Sequence, residues 1–277
     1  MAMSLSPEVC HAQVVHYFGV GSNMCRSKVE GRGADSQIEL LRFQPAVVRG
    51  HRLAFNLRGF APLEPGMGSL EPHATSEAHG ALMSMPAREY QKIWLSEGGG
   101  QLRPAYEEVV VEARPYGGEP VKAIALRARE HARLREEACP SERYLSLLLT
   151  GAAELGLDPS YVARLKAHPT QIVPPTLHSI AVHYLFFVAL LFQLQMRPLI
   201  EALSALLWRV HVPSSHPNRM LRGLSNAAST LLLTPGAAIG CIVRLGMWAS
   251  CTPPPPLLAK YAKMRPGCRK SPCGPCS

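Results

Sequence analysis

The stretch VVHYFGVGSNMCRSKV, residues 14–29, begins as an apolar strand, breaks into Gly-Val-Gly-Ser-Asn, and then turns polar. Glycine stands where the backbone needs unusual dihedrals or where something must touch the main chain. Gly19 and Gly21, with Ser22 and Asn23, therefore make a loop whose N–H groups can face an anion. The spacing carries neither the lysine of a phosphate-binding loop nor the third glycine of a dinucleotide fingerprint. Two readings stay open on this stretch alone: an anion cradle, or an ordinary strand-to-helix turn. In both, residues 14–20 read as a strand and 23–30 as a short helix.

Working outward, residues 37–60 alternate well enough for two strands, around Pro45 and Gly50. The Pro/Gly/Glu-rich run 61–77 reads as a loop, and AHGALMSM (78–85) as a strand. PAREYQKIWLSEGGG (86–100) reads as a helix, with Pro86 in its first turn and the glycine run as its stop. Residues 105–115 and 121–130 are strands on either side of the turn YGGE. Residues 140–168 hold two helices, the first capped by Ser141 and the second opened by Asp158-Pro159. Strands early and helices late predict a compact α+β domain that ends near residue 170.

The 277 residues leave room for that domain and an extension, and the 25 prolines concentrate late. Net charge is +9, but the basic residues are scattered apart from KYAKMRPGCRK (260–270). Aromatics are 6% and do not interleave with the basic residues, so no nucleic-acid partner is expected. Only Cys25 and Cys139 of the eight cysteines fall in 14–168, which speaks against a disulfide framework and for a reducing compartment. Residues 1–13 form an N-terminal tail without a charged segment leading into an apolar core, so no secretory signal is expected and a cytosolic or cytoplasm-facing domain is.

Past the linker HPTQIVPPT (168–176), residues 180–196 and 227–243 are apolar and carry no formal charge. Each sits near the lower limit of about 17 residues for a membrane span, and Arg197, Arg209 and Arg244 flank them. One or two membrane helices, a buried helical appendage and an unfolded stretch all fit. In the tail, Cys273 and Cys276 make a Cys-x-x-Cys with Cys268 nearby, a poor zinc site without a second pair or histidines. A disordered Pro/Cys/basic tail is the expectation there.

YFGVGSNM (17–24), PAVVRGHRLAFNLRG (45–59), HGALMSM (79–85), WLSEGG (94–99), AYEEVVVEA (105–113) and CPSERYLSLLLTGAAELGLDPSYVARL (139–165) follow one another in order. Together they resemble the γ-glutamylcyclotransferase family across residues 14–168. That family opens on a Tyr-Phe-x-Tyr-Gly-Ser-Asn loop, carries a lone acid in a Glu-Gly turn and closes on a Pro-Ser-x-x-Tyr helix. The resemblance implies a small mixed β-barrel or sheet with flanking helices, an α+β fold, followed here by an extension (169–277) with one or two apolar helices.

It also implies a reaction. The α-amine of a γ-glutamyl compound attacks its own γ-carbonyl, closing 5-oxoproline and expelling an amino acid. Nucleophile and electrophile share one molecule, so orientation supplies several kcal/mol of the barrier. The amine must first lose a proton, a task for a carboxylate in a dry pocket. No metal, no cofactor and no nucleophilic serine is needed. The resemblance assigns the acid/base to Glu97. Read without it, a glutamate before three glycines is a solvated loop acid. The nearby Glu107 and Glu108 match no catalytic position, and His79 reads as packed or paired. Tyr17, Phe18, Gly19, Val20, Gly21 and Ser22 map to the segment that cradles the γ-glutamyl moiety, with backbone N–H groups on its carboxylate end. Tyr144 maps to the helix tyrosine whose hydroxyl reaches substrate, and Tyr106 reads as structural. Val20 stands where the family has tyrosine, and Ala125 replaces a further tyrosine. The Asn23-containing loop favours small γ-glutamyl amino acids over glutathione. The rival is a catalytically silent binding module of the same fold for small γ-glutamyl or carboxylate ligands, with or without a membrane tether, and the oligomeric state stays open.

Overall fold

The computed structural model describes residues 14–33 and 37–249. The N-terminal tail (1–13) and the Pro/Cys/basic tail lie outside the described residues. The chain divides into two compact units. The first takes in Glu64–Ile172, Pro213–Ser215 and residues up to Phe60; the second takes in Ala61–Leu63, Val173–Val212 and residues from His216 onward.

The first unit is a closed five-stranded barrel of β1 (Val14–Gly19), β2 (Arg42–Phe60), β3 (Glu64–Pro86), β4 (Tyr106–Pro115) and β5 (Val121–Ala128), in the order β1-β3-β2-β4-β5. Neighbours run antiparallel except where β1 meets β5 in parallel, Tyr17 opposite Ile124, which closes the ring. Around it stand α1 (Arg26–Glu30), α2 (Ala87–Ser96), α3 (Glu142–Glu154) and α4 (Pro159–Lys166). The expected α+β barrel is what forms.

Period-two alternation sorts the side chains into two cores. Phe18, Ala46, Val48, Leu70, Leu82, Val111, Ala113, Ala123 and Ala125 pack together from all five strands and fill the lumen. Its many alanines suit a barrel of only five strands. Tyr17, Met83, Tyr106 and Ile124 point the other way and join Tyr90, Ile93, Trp94, Tyr144 and Leu148 of the helices.

Two sequence expectations fail on β2 and β3. Residues 42–60 are one strand rather than two, because Gly50 (φ +69°) carries a register shift between Arg49 and His51 without ending the pairing. Residues 64–77 are strand rather than loop. Pro72 lies opposite His51, beside that shift, where a missing N–H is tolerated. The glycines that looked like loop material serve close approach. A Cβ at Gly66 would stand 2.4 Å from the Ala138 carbonyl oxygen, and one at Gly68 3.0 Å from the Tyr144 hydroxyl.

Both helix starts in 140–168 form as read. Ser141 accepts the Tyr144 N–H, and Asp158 caps α4 with Pro159 in its first turn. In the second unit, α5 (Pro175–Gln193), α6 (Arg197–Val210) and α7 (Arg219–Ala249) lengthen the apolar stretches and add a helix between them. The expected linker ends early, since Pro175 already opens α5. Two of these helices are long and apolar enough to cross a membrane, Pro175–Gln193 with mean hydropathy 1.6 and Arg219–Leu245 with 1.5.

Candidate active site

Glu97 sits where α2 stops. Its N–H donates to the Ile93 carbonyl at 3.0 Å, and Gly98 turns the chain with φ +85°. Gly99 lies so close under the Trp94 ring that a Cβ there would fall 2.0 Å from it. The glycine run is therefore a tight helix stop that fixes the carboxylate, 14% exposed, at the end of a packed helix.

Glu97 Oε1 takes two donors, Arg32 Nη2 at 2.7 Å and Asn23 Nδ2 at 3.1 Å. Asn23 Nδ2 also donates to the Tyr17 hydroxyl at 2.7 Å, and its Oδ1 accepts from Arg32 Nη2 at 2.6 Å. Arg32 Nη1 donates to Ser96 Oγ at 2.9 Å. The glycine loop and the Glu-Gly turn, 74 residues apart, thus meet in one hydrogen-bonded cluster. Arg32 escaped the sequence reading because it follows α1 in a short polar run with no motif to mark it. Asn23 was seen only as part of the loop.

A second junction lies beside the first. The Tyr144 hydroxyl oxygen accepts the Gly68 N–H at 3.1 Å, while the Tyr106 hydroxyl donates to the Gly68 carbonyl at 2.8 Å. Burial, the largest cause, raises the pKa of Tyr17, Tyr106 and Tyr144, and the Glu97 charge adds to each. Tyr144 is pushed up to about 12, with the Gly68 N–H pulling the other way. Three neutral phenols therefore surround one carboxylate.

What passes so close to the two glycines is the protein itself. A Cβ on Gly21 (φ +69°) would lie 2.6 Å from the Tyr144 hydroxyl, and one on Gly19 2.7 Å from Met83 Cε. Of the sequence-predicted site residues, Tyr17 joins the Glu97 cluster, and Gly21, Ser22 and Tyr144 form the adjoining junction. Phe18 and Val20 turn to the lumen, where Ala125 also packs. Both positions at which the family tyrosines are missing thus face the barrel interior. Glu107 pairs with Arg127 at 2.7 Å, Glu108 accepts the Tyr90 hydroxyl at 2.7 Å, and His79 packs on Tyr161 with ring centroids 4.7 Å apart. Among the described residues no group of three His, Cys, Asp or Glu gathers as a metal would require.

No family model matches the chain. It is 33% identical to the gamma-glutamyl cyclotransferase gliK of Claviceps purpurea over 140 residues, 48% of this chain and 62% of that one. It is 29% identical to the gamma-glutamyl cyclotransferase gliK of Aspergillus fumigatus over 189 residues, 60% of this chain and 66% of that one. The match thus spans less than two thirds of the length of either relative. Among solved structures, the uncharacterized human protein loc79017 aligns over 59% of this chain and 92% of its own, with TM-score 0.51 and 20% identity. A structure of a gamma-glutamyl cyclotransferase aligns over 57% of this chain and 89% of its own, with TM-score 0.50 and 20% identity. At that identity the structural likeness is one of fold.

Proposed function

We propose that the chain is a member of the γ-glutamylcyclotransferase family, as its likeness to the two gliK proteins supports, and that its barrel unit converts small γ-glutamyl compounds to 5-oxoproline, with Glu97 as the acid/base. One observation carries the reading: Glu97 is hydrogen-bonded to Asn23 of the glycine loop, so the two motifs the reaction needs share one site. The α-ammonium of the substrate gives a proton to the Glu97 carboxylate. The freed amine attacks the γ-carbonyl carbon and forms a tetrahedral centre. Glu97 then returns a proton to the departing nitrogen, and the C–N bond breaks. The ring nitrogen gives up its second proton to the departing amine, and neutral-ring 5-oxoproline and an ammonium compound or amino acid leave. Both contacts to Glu97 fall on Oε1, which leaves Oε2 to handle the proton. The Tyr144 oxygen accepts the Gly68 N–H, so its own proton is the one to offer to developing negative charge.

The test uses the full chain with a panel of γ-glutamyl dipeptides, glutathione and γ-glutamyl-lysine, scoring 5-oxoproline beside Glu97→Gln. Release from at least one γ-glutamyl amino acid, falling at least 100-fold in the variant, is expected. No release from any compound by folded protein favours the silent binding module instead, a reading that the Arg32–Glu97 ion pair supports because it occupies the proposed base. We also propose that α5 and α7 lie in a membrane. Residues 175–196 and 223–243 hold no Asp, Glu, Lys or Arg, and Pro235 sits inside α7, where a soluble helix tolerates it poorly.

A further inference from the structure

Arg32 is held more firmly than an ion pair with Glu97 requires. Asn23 Oδ1 takes Nη2, and Ser96 Oγ takes Nη1. Both acceptors are themselves fixed, Asn23 by its bond to Tyr17 and Ser96 by donating to the Ile93 carbonyl at 2.7 Å. The guanidinium therefore keeps its place when Glu97 moves or takes another partner. Its Nε is buried and makes no hydrogen bond. A buried donor with no acceptor is costly in a finished site and ordinary in one that awaits a ligand. The edge formed by Nε and Nη2 is one on which guanidinium takes a carboxylate with two parallel bonds.

Meanwhile the glycine loop is crowded by the protein itself, since the Tyr144 hydroxyl fills the space beside Gly21. We infer that Arg32 is the subsite for the substrate's α-carboxylate, and that the Arg32–Glu97 pair of the empty site stands in for a zwitterion. An amino-acid end entering the site hands its carboxylate to Arg32 and its ammonium to Glu97. One ion pair becomes two, and the ammonium arrives on the group that must deprotonate it. This inference rests on the γ-glutamyl reading and sets its specificity. Compounds with both α-groups free are accepted, and those whose α-carboxylate is amidated are refused.

The experiment crosses enzyme and substrate variants in the full chain. γ-Glutamyl-alanine and its α-carboxamide are compared in wild type and in Arg32→Ala by kcat/KM, and 5-oxoproline and its carboxamide by direct binding in calorimetry. In wild type the carboxamides lose about 10- to 100-fold, the worth of a charged hydrogen bond or two. In Arg32→Ala that penalty shrinks to near unity, because the residue that reads the carboxylate is gone. A wild type indifferent to amidation overturns the inference, as does a penalty that survives in the variant. A purely structural Arg32 lowers acid and amide alike. Should the alanine variant fail to fold, Arg32→Lys, which keeps the charge and loses the fork, is expected to show an intermediate penalty; a full wild-type penalty there overturns the inference. The binding arm needs no turnover, so a chain that releases no 5-oxoproline refutes the catalytic reading and still tests Arg32.

Discussion

The Tyr144 hydroxyl oxygen accepts the Gly68 N–H and fills the space that a side chain at Gly21 would occupy. Tyr144→Phe removes the acceptor and strands the Gly68 N–H in a buried place. A loss of about 1–3 kcal/mol is expected, read as a lower denaturant midpoint with unchanged far-UV dichroism. Alkali should act through the same phenols. Folding raises the pKa of Tyr17, Tyr90, Tyr106 and Tyr144 above the ordinary value of 10, so the fold keeps protons that the unfolded chain gives up. Stability is then whole below about pH 10 and drains as pH climbs towards about 12. Midpoints followed from about pH 9 to about pH 11 beside tyrosinate absorbance check this. A flat midpoint across that window would show the phenols to be free to ionise in the fold.

At the scale of elements, what was legible in the sequence were the ends and the signals of single residues. Ser141 and Asp158-Pro159 start their helices as read, and Pro86 stands directly before α2, where a helix start was expected. Residues 64–77 escaped because proline and glycine mark loops on average, whereas here Pro72 exploits a register shift and Gly66 and Gly68 admit Ala138 and Tyr144. Such reasons lie in contacts with residues some 70 positions away, which no local pattern records. Arg32 was hidden for the same cause. Its meaning comes from Ser96 and Glu97, brought to it by the stop of α2. Within the second unit, glycines on α7 separate by role. A Cβ at Gly240 would fall 1.9 Å from the His183 carbonyl oxygen of α5, while Gly223 has open space. Gly240→Leu is expected to loosen the α5–α7 pair and lower its thermal midpoint. Gly223→Ala should raise stability by about 0.5–1 kcal/mol through helix propensity alone. Equal effects at both positions would mean that α5 and α7 do not pack as closely as Gly240 implies.

For the whole molecule, the proposal that α5 and α7 lie in a membrane makes a prediction about where the chain is found. Expressed in cells, the full chain is expected in the membrane pellet after washing with alkaline carbonate. Recovery in the supernatant would make α5 and α7 an appendage packed on protein alone. The closure of the barrel carries a consequence for how the chain is made. Strand β1 leaves the ribosome first, yet its parallel partner is Ile124 of β5, about a hundred residues later. At roughly 5–20 residues per second, an apolar strand waits about 5–20 s with one edge unpaired. Slow translation before residue 124 lengthens the time for which VVHYFG lacks its β5 partner. Ring closure is therefore a late event in synthesis, and it is expected to follow the emergence of β5 rather than of β1.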